Sequence, residues 1–288
     1  MLIKYKKRNL YNMRIAISAL VVMISFSIYG QNFSGKAIYK TSRKTSFNVK
    51  TGNPGMDDKM AEEIKKKLQK MNQRTFELTF DKNTSIYKEK AKLAEPNPKA
   101  RVGGAMVMSF GGGAGSTLFK NLSEKRYVNE TELLSKRFLI KDTLTSYNWE
   151  LSAETKNIGK YTCYKATFTR EVENVNMSFV NGEAKEEKKM ETIVTTAWYT
   201  PQVPVGNGPG NWQGLPGLIL EINDGRSLIV CTEIVLNNGE TISLEEPSKG
   251  KIVTQAEYEK ISREKTKEMM ERFKSRRGDN TMQIRIGG

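Results

Sequence analysis

Four large aromatic residues stand where they could meet a ligand: Trp149, Trp198, Tyr199 and Trp212. Trp198 and Tyr199 precede a kinked connection carrying Pro201, Pro204, Gly206, Gly208, Pro209 and Gly210, and Trp212 lies inside it. The connection closes on Gly214-Leu215-Pro216-Gly217. Flat rings beside such a loop offer a surface on which sugars, peptides and lipids are held, although they also cap sheet ends. Proline presets φ and glycine accepts a positive φ, so Leu215-Pro216-Gly217-Leu218 reads as a type II turn. Leu218, Leu220 and Ile222 then alternate with Ile219 and Glu221, the pattern of a core strand. The first reading is therefore a binding surface lined by Trp149, Trp198, Tyr199 and Trp212. Its rim would be held by Gly214, Leu215, Pro216 and Gly217.

Other chemistries are poorly supplied. The chain has no histidine. That excludes Ser-His-Asp and Cys-His catalysis and removes a common zinc ligand. No metal pattern and no cofactor motif is present. Glu150, Glu154, Glu221 and Asp224 are the carboxylates that a histidine-free glycoside hydrolase would have to pair. However, Asp224 stands in a turn where Asp is favoured locally. The run Gly111 to Thr117 lacks the lysine a phosphate loop needs. Cys163 and Cys231 are the two cysteines. A disulfide between them requires their strands to be neighbours. Asp142-Thr143-Leu144 resembles a short O-glycosylation acceptor, and Asp before Thr also suits a turn.

Residues 1–30 read as a secretory signal. Lys4, Lys6, Lys7, Arg8 and Arg14 are followed by an apolar run from Ile15 to Ile28, too short to span a bilayer comfortably. An exported chain in an oxidising compartment is expected, periplasmic, outer-membrane associated or secreted, and not integral to the membrane once processed. The formal charge is +15, and five of the positive residues belong to the signal. The remaining lysines are interleaved with glutamate, so a generally basic exported protein is expected and not a nucleic-acid binder.

The elements that must position these residues are mostly strands. Ala37 and Tyr39 alternate with Ile38 and Lys40; Phe76, Leu78 and Phe80 share one face; Tyr164, Ala166 and Phe168 share another. Ile193–Thr200 and Leu228–Leu236 are rich in β-branched residues. Asn181-Gly182, Asn223-Asp224-Gly225 and Asn237-Asn238-Gly239 supply turn chemistry, and the last two read as hairpins. Two charged helices are expected. One covers Asp57–Gln73. The other starts at the capping box Thr254-Gln255-Ala256-Glu257 and runs over 254–277. Residues 94–117 read as a flexible Gly-rich loop. The expected fold is mainly β (α+β): one domain over 31–288, a curved antiparallel sheet with one or two flanking helices.

Gly214 to Ile219 spells GLPGLI, and this chain resembles the family named for that motif. Gly35-Lys36-Ala37-Ile38-Tyr39, Trp149-Glu150-Leu151, the run Glu154 to Thr167, Ala197-Trp198-Tyr199-Thr200 and Pro204-Val205 fit the same ordered series. The resemblance implies a small exported protein of outer-membrane bacteria and assigns no reaction. The function expected is non-enzymatic binding of an outer-membrane or envelope protein, or of a lipid or glycan ligand. The alternatives are a carboxylate-based hydrolase and a purely structural envelope module.

Overall fold

The computed structural model describes residues 33–43, 73–90, 101–102, 105–106, 115–180, 183–238, 244–276 and 283–286. The signal segment and all but Gln73 of the helix expected at Asp57–Gln73 lie outside the described residues.

Strands β1 (Phe33–Arg43), β2 (Arg74–Phe80) and β3 (Thr84–Glu89) begin the sheet. Two-residue strands β4 (Arg101–Val102) and β5 (Ala105–Met106) pair only with each other, and β6 (Thr117–Asn121), β7 (Arg126–Leu133) and β8 (Lys136–Thr143) follow. The second half holds β9 (Glu150–Ile158), β10 (Tyr161–Val180), β11 (Glu183–Thr200), β12 (Leu218–Asn223), β13 (Ser227–Asn238), β14 (Lys251–Val253), the helix α1 (Gln255–Arg276) and β15 (Gln283–Ile286). One sheet runs β14-β8-β7-β6-β3-β2-β1-β13-β12-β11-β10-β15, with β9 also on β10. All its pairings are antiparallel except β14 on β8. The protein is mostly β, with α1 its one helix among the described residues. It is nearer all-β than the α+β expected, because β-branched and aromatic alternation dominates the chain.

The period-two pattern buries what it should. Ala37, Tyr39, Leu78 and Phe80 are fully buried and share a core with Tyr87, Leu118, Phe138, Leu218 and Leu220. Register shifts at Ile38/Tyr39, Tyr164/Ala166 and Trp198/Tyr199 are bulges, which bend strands and increase twist. Bending lets β10 and β13, separated by β11 and β12, place Cys163 and Cys231 in this same core. Their strands are not neighbours, and both cysteines are free thiols. Burial pushes the Cys163 thiol up to about 11 and that of Cys231 to about 12.

Asn223–Gly225 does join β12 to β13, with Asp224 accepting the backbone amides of Arg226 and Ser227. The hairpin expected at Asn237–Gly239 leads into residues 239–243, which lie outside the described residues, and the next described strand, β14, pairs with β8. The Gly-rich segment ends in Thr117, which begins β6. The capping box forms as read: Thr254 Oγ1 accepts the Glu257 amide at 3.2 Å, and Glu257 Oε2 accepts the Thr254 amide at 2.8 Å. Asp142 Oδ2 also accepts the amide of Gln255 at 3.1 Å, so Asp142 works as a cap for α1. That bond leads those holding its carboxyl below the usual range.

Candidate functional site

The connection after β11 folds back over the sheet. Val203, Val205 and Leu215 are buried along it. The Leu215–Leu218 turn is tighter than the type II turn expected. The Gly217 amide donates to Leu215 O at 2.8 Å across Pro216, and the Leu218 amide donates to Val203 O at 2.9 Å. That is the two-residue closure of a γ-turn. A Cβ on Gly217 would run into the Thr200 carbonyl, so the close approach demands glycine. Leu215 belongs to a small core with Ala166, Ala197, Tyr199, Ile219 and Ile222, while Pro216 and Gly214 are exposed.

The four aromatics read from the sequence do not form one surface. Trp149 and Trp212 meet at 5.8 Å between ring centroids, with Tyr147 and Phe168 completing the cluster. Trp149 Nε1 donates to Gln213 O at 3.0 Å, and Gln213 Nε2 donates to Thr145 O at 2.7 Å. These half-buried rings pack the loop against the sheet. Tyr199 is buried beneath them and lies 6.1 Å from Tyr164. Trp198 is elsewhere, with the Lys156 ammonium 4.4 Å above its ring. That ammonium also contacts both oxygens of Glu221 at 2.8 Å. The candidate carboxylates are likewise scattered. Glu154 pairs with Lys165, Glu221 with Lys156, Asp224 caps its turn, and Glu150 lies on β9 near Thr167. Among the described residues, no group of three acidic or thiol side chains is placed to hold a metal ion.

The concave feature lies across β2, β3, β6 and β7. A cleft of about 220 Å³ is lined by Arg74, Phe76, Tyr87, Glu89, Ser116, Leu118, Asn129, Gly210 and Asn211. The register explains its shape. Leu78, Tyr87, Leu118 and Asn129 form one row across four strands, and Phe76 opposite Glu89 begins the next. Phe76 and Tyr87 stack with centroids 4.8 Å apart and planes 6° from parallel. Arg74 and Glu89 face each other at 3.6 Å, and Ser116 donates to Asn129 Oδ1 at 2.9 Å. Gly210 and Asn211 bring the loop to the cleft as a wall, and Tyr147 OH reaches Asn211 O at 3.4 Å.

One register row deeper lie Phe80, Ser85, Lys120 and Tyr127. Lys120 is fully buried, and its ammonium donates to Gly208 O at 2.9 Å and Trp212 O at 3.2 Å. Burial pushes it from 10.5 down to about 7. Sequence reading missed this lysine because KN at the end of a strand resembles any solvated edge. Phe76 was read only as part of one strand face, and Arg74, Glu89 and Asn129 carry no local signature, since register alone assembles them.

Residues 149–221 match a family model described as "Protein of unknown function (Porph_ging)". The match takes in Trp149 and the Gly214–Ile219 turn but none of the strands under the cleft. No protein of curated function matches the chain. Among solved structures, PNGF-II in its C2 and P21 crystal forms aligns at 13% identity and TM-score 0.45, covering 80% of this chain. The alignment spans 32% and 33% of those two chains, about a third of their length. So loose a superposition transfers neither fold detail nor function. Among the described residues, no helix is long and apolar enough to cross a membrane.

Proposed function

We propose that this chain is a non-enzymatic binding protein of the bacterial envelope whose cleft takes the end of a glycan. The observation that carries this reading is the stacked Phe76–Tyr87 pair set between the Arg74–Glu89 pair and Asn129. A sugar presents an apolar C–H face to a ring, while its hydroxyls take forked bonds from planar guanidinium, carboxylate and amide groups. A cleft of about 220 Å³ suits a single sugar unit and leaves the rest of a chain outside. The signal-like residues 1–30 and the GLPGLI-type series support an envelope location. A hydrolase is less well supported, because Glu89 is the one carboxylate lining the cleft and it already faces Arg74.

Calorimetric titration of the processed chain with neutral mono- and disaccharides tests the reading. A small open site of this kind should give a Kd of about 0.1 to 1 mM. Phe76→Ala should abolish the heat signal and Trp198→Ala should leave it unchanged. Silence from every saccharide, or a signal lost only with Trp198→Ala, would overturn the proposal.

A further inference from the structure

We infer that Ser85, Lys120 and Asn207 form the concealed deep end of this cleft, an oxyanion site that receives a carboxylate on the bound glycan when the loop tip at 208–212 lifts. The inference rests on the glycan reading above and adds the ligand's charge.

Three side chains make the case, and all three are fully buried. Ser85 and Lys120 are direct cross-strand partners on β3 and β6, which places their Cβ atoms roughly 5 Å apart. Asn207 precedes Gly208, whose carbonyl accepts from Lys120, and Asn207 Oδ1 accepts the Gly208 amide at 2.8 Å. Ser85 Oγ and Asn207 Nδ2 have no hydrogen-bond partner. Lys120 spends its donors on two neutral carbonyls, and neither of these acceptors carries charge. The place therefore holds a surplus of donors, from an ammonium, a hydroxyl and an amide N–H. Unpaired buried donors are a cost to the closed state, and clustered costs of this kind concentrate at functional sites. The missing chemical element is an anionic acceptor, because an ammonium at this depth keeps its charge only beside one. Its lowered proton affinity in the closed state agrees with that absence.

Access follows from the register. Tyr87 and Leu118 line the open cleft, and Ser85 and Lys120 stand two residues further along the same strands. What separates the rows is the loop whose Gly210 and Asn211 form the cleft wall. Gly208 and Trp212, the residues Lys120 holds, flank that wall. An entering carboxylate would take over the Lys120 donors from those two carbonyls, so binding and loop release are one exchange. An acidic sugar combines the ring-stacking body that fits Phe76 with the carboxylate that fits Lys120.

Titration of the full processed chain with sodium glucuronate, glucose, sodium sulfate and inorganic phosphate at constant ionic strength tests this. Glucuronate should bind at least about tenfold more tightly than glucose, as a charged hydrogen bond replaces a neutral one. Lys120→Met should erase that preference. Since Lys120→Met also unpins the loop, Ser85→Ala is the second variant. It should weaken glucuronate by about tenfold without loss of thermal stability, because it deletes an unpaired hydroxyl. Equal binding of glucuronate and glucose, or a preference that survives both variants, overturns the oxyanion site and leaves the glycan reading standing. Sulfate or phosphate binding that vanishes in Lys120→Met, with no saccharide bound, would support the oxyanion site and overturn the glycan reading. Silence from all four probes overturns both.

Discussion

Trp149 and Trp212 stand 5.8 Å apart and lean on Tyr147 and Phe168, ring against ring, half-buried between loop and sheet. Phe76 and Tyr87 stack at 4.8 Å and leave a cleft beside them, edged by a guanidinium and a carboxylate. Both regions are aromatic, and they meet at the same loop from opposite sides. The first satisfies its polar atoms internally, as Trp149 Nε1 does on Gln213 O. The second backs onto Ser85 Oγ and Asn207 Nδ2, which have no hydrogen-bond partner. The contrast teaches that aromatic density marks the loop's anchor here, whereas the cleft proposed to face a ligand is marked by mixed chemistry and polar groups lacking partners.

The sharpest way to break the comparison is to remove an anchor ring. Trp149→Ala should cost about 3 to 5 kcal/mol, the range for deleting a packed tryptophan, read as a lower urea midpoint at unchanged slope. Phe76→Ala should cost less, about 1 to 2 kcal/mol, since one side of that ring already faces the cleft. Equal losses at the two positions would mean that the cleft ring is anchoring too.

Lys120 offers a test by pH. Its folded value is lowered from 10.5 to about 7, so between those values the unfolded chain holds a proton that the folded chain lacks. Stability should therefore rise with pH across that window, by up to about 1.4 kcal/mol per unit. Burial raises the Cys163 and Cys231 thiols above their ordinary 9.0, and Tyr39 and Tyr87 above their ordinary 10.0, so the trend slows as pH nears 9 and reverses above it. Urea midpoints at pH 7, 8 and 9 should climb for the wild type and flatten for Lys120→Met. A wild-type profile already flat would mean that the lysine is charged and paired.

Two smaller effects concern the frame. Thr254→Ala removes the side-chain acceptor at the start of α1 and should cost about 1 kcal/mol in thermal or urea unfolding. The Cys163 and Cys231 thiols, raised by burial, should resist a thiol reagent at pH 8 in the folded protein and both react in urea. Rapid labelling without denaturant would show that the shared core opens readily. Absence of both thiols in urea would show that they are bridged.

Much of the frame was legible along the chain. The alternation at Ala37–Tyr39 and Phe76–Phe80, the β12–β13 turn at Asn223–Gly225 and the Thr254–Glu257 box all depend on neighbours within a few residues. Local chemistry suffices to specify them. The Leu215–Gly217 turn was found in the right place but in the wrong class, because its closure is set by a bond to Val203 and by the Thr200 carbonyl. The partner of β14 was not legible for a similar reason: it is β8, more than a hundred residues earlier.

The site itself was a tertiary decision. Trp198 and Tyr199 are adjacent in sequence, yet strand alternation and a bulge send one toward Lys156 and the other beneath Leu215. Arg74, Glu89, Ser116 and Asn129 come from four segments and become neighbours only when β2, β3, β6 and β7 pair in this register. Lys120 is indistinguishable in sequence from a solvated lysine until the loop closes over it and removes its water. Amino-acid order settled the strands, caps and turns through interactions of short range. Pairing between distant strands, and the burial that follows, settled which polar groups face one another and which are left without a partner.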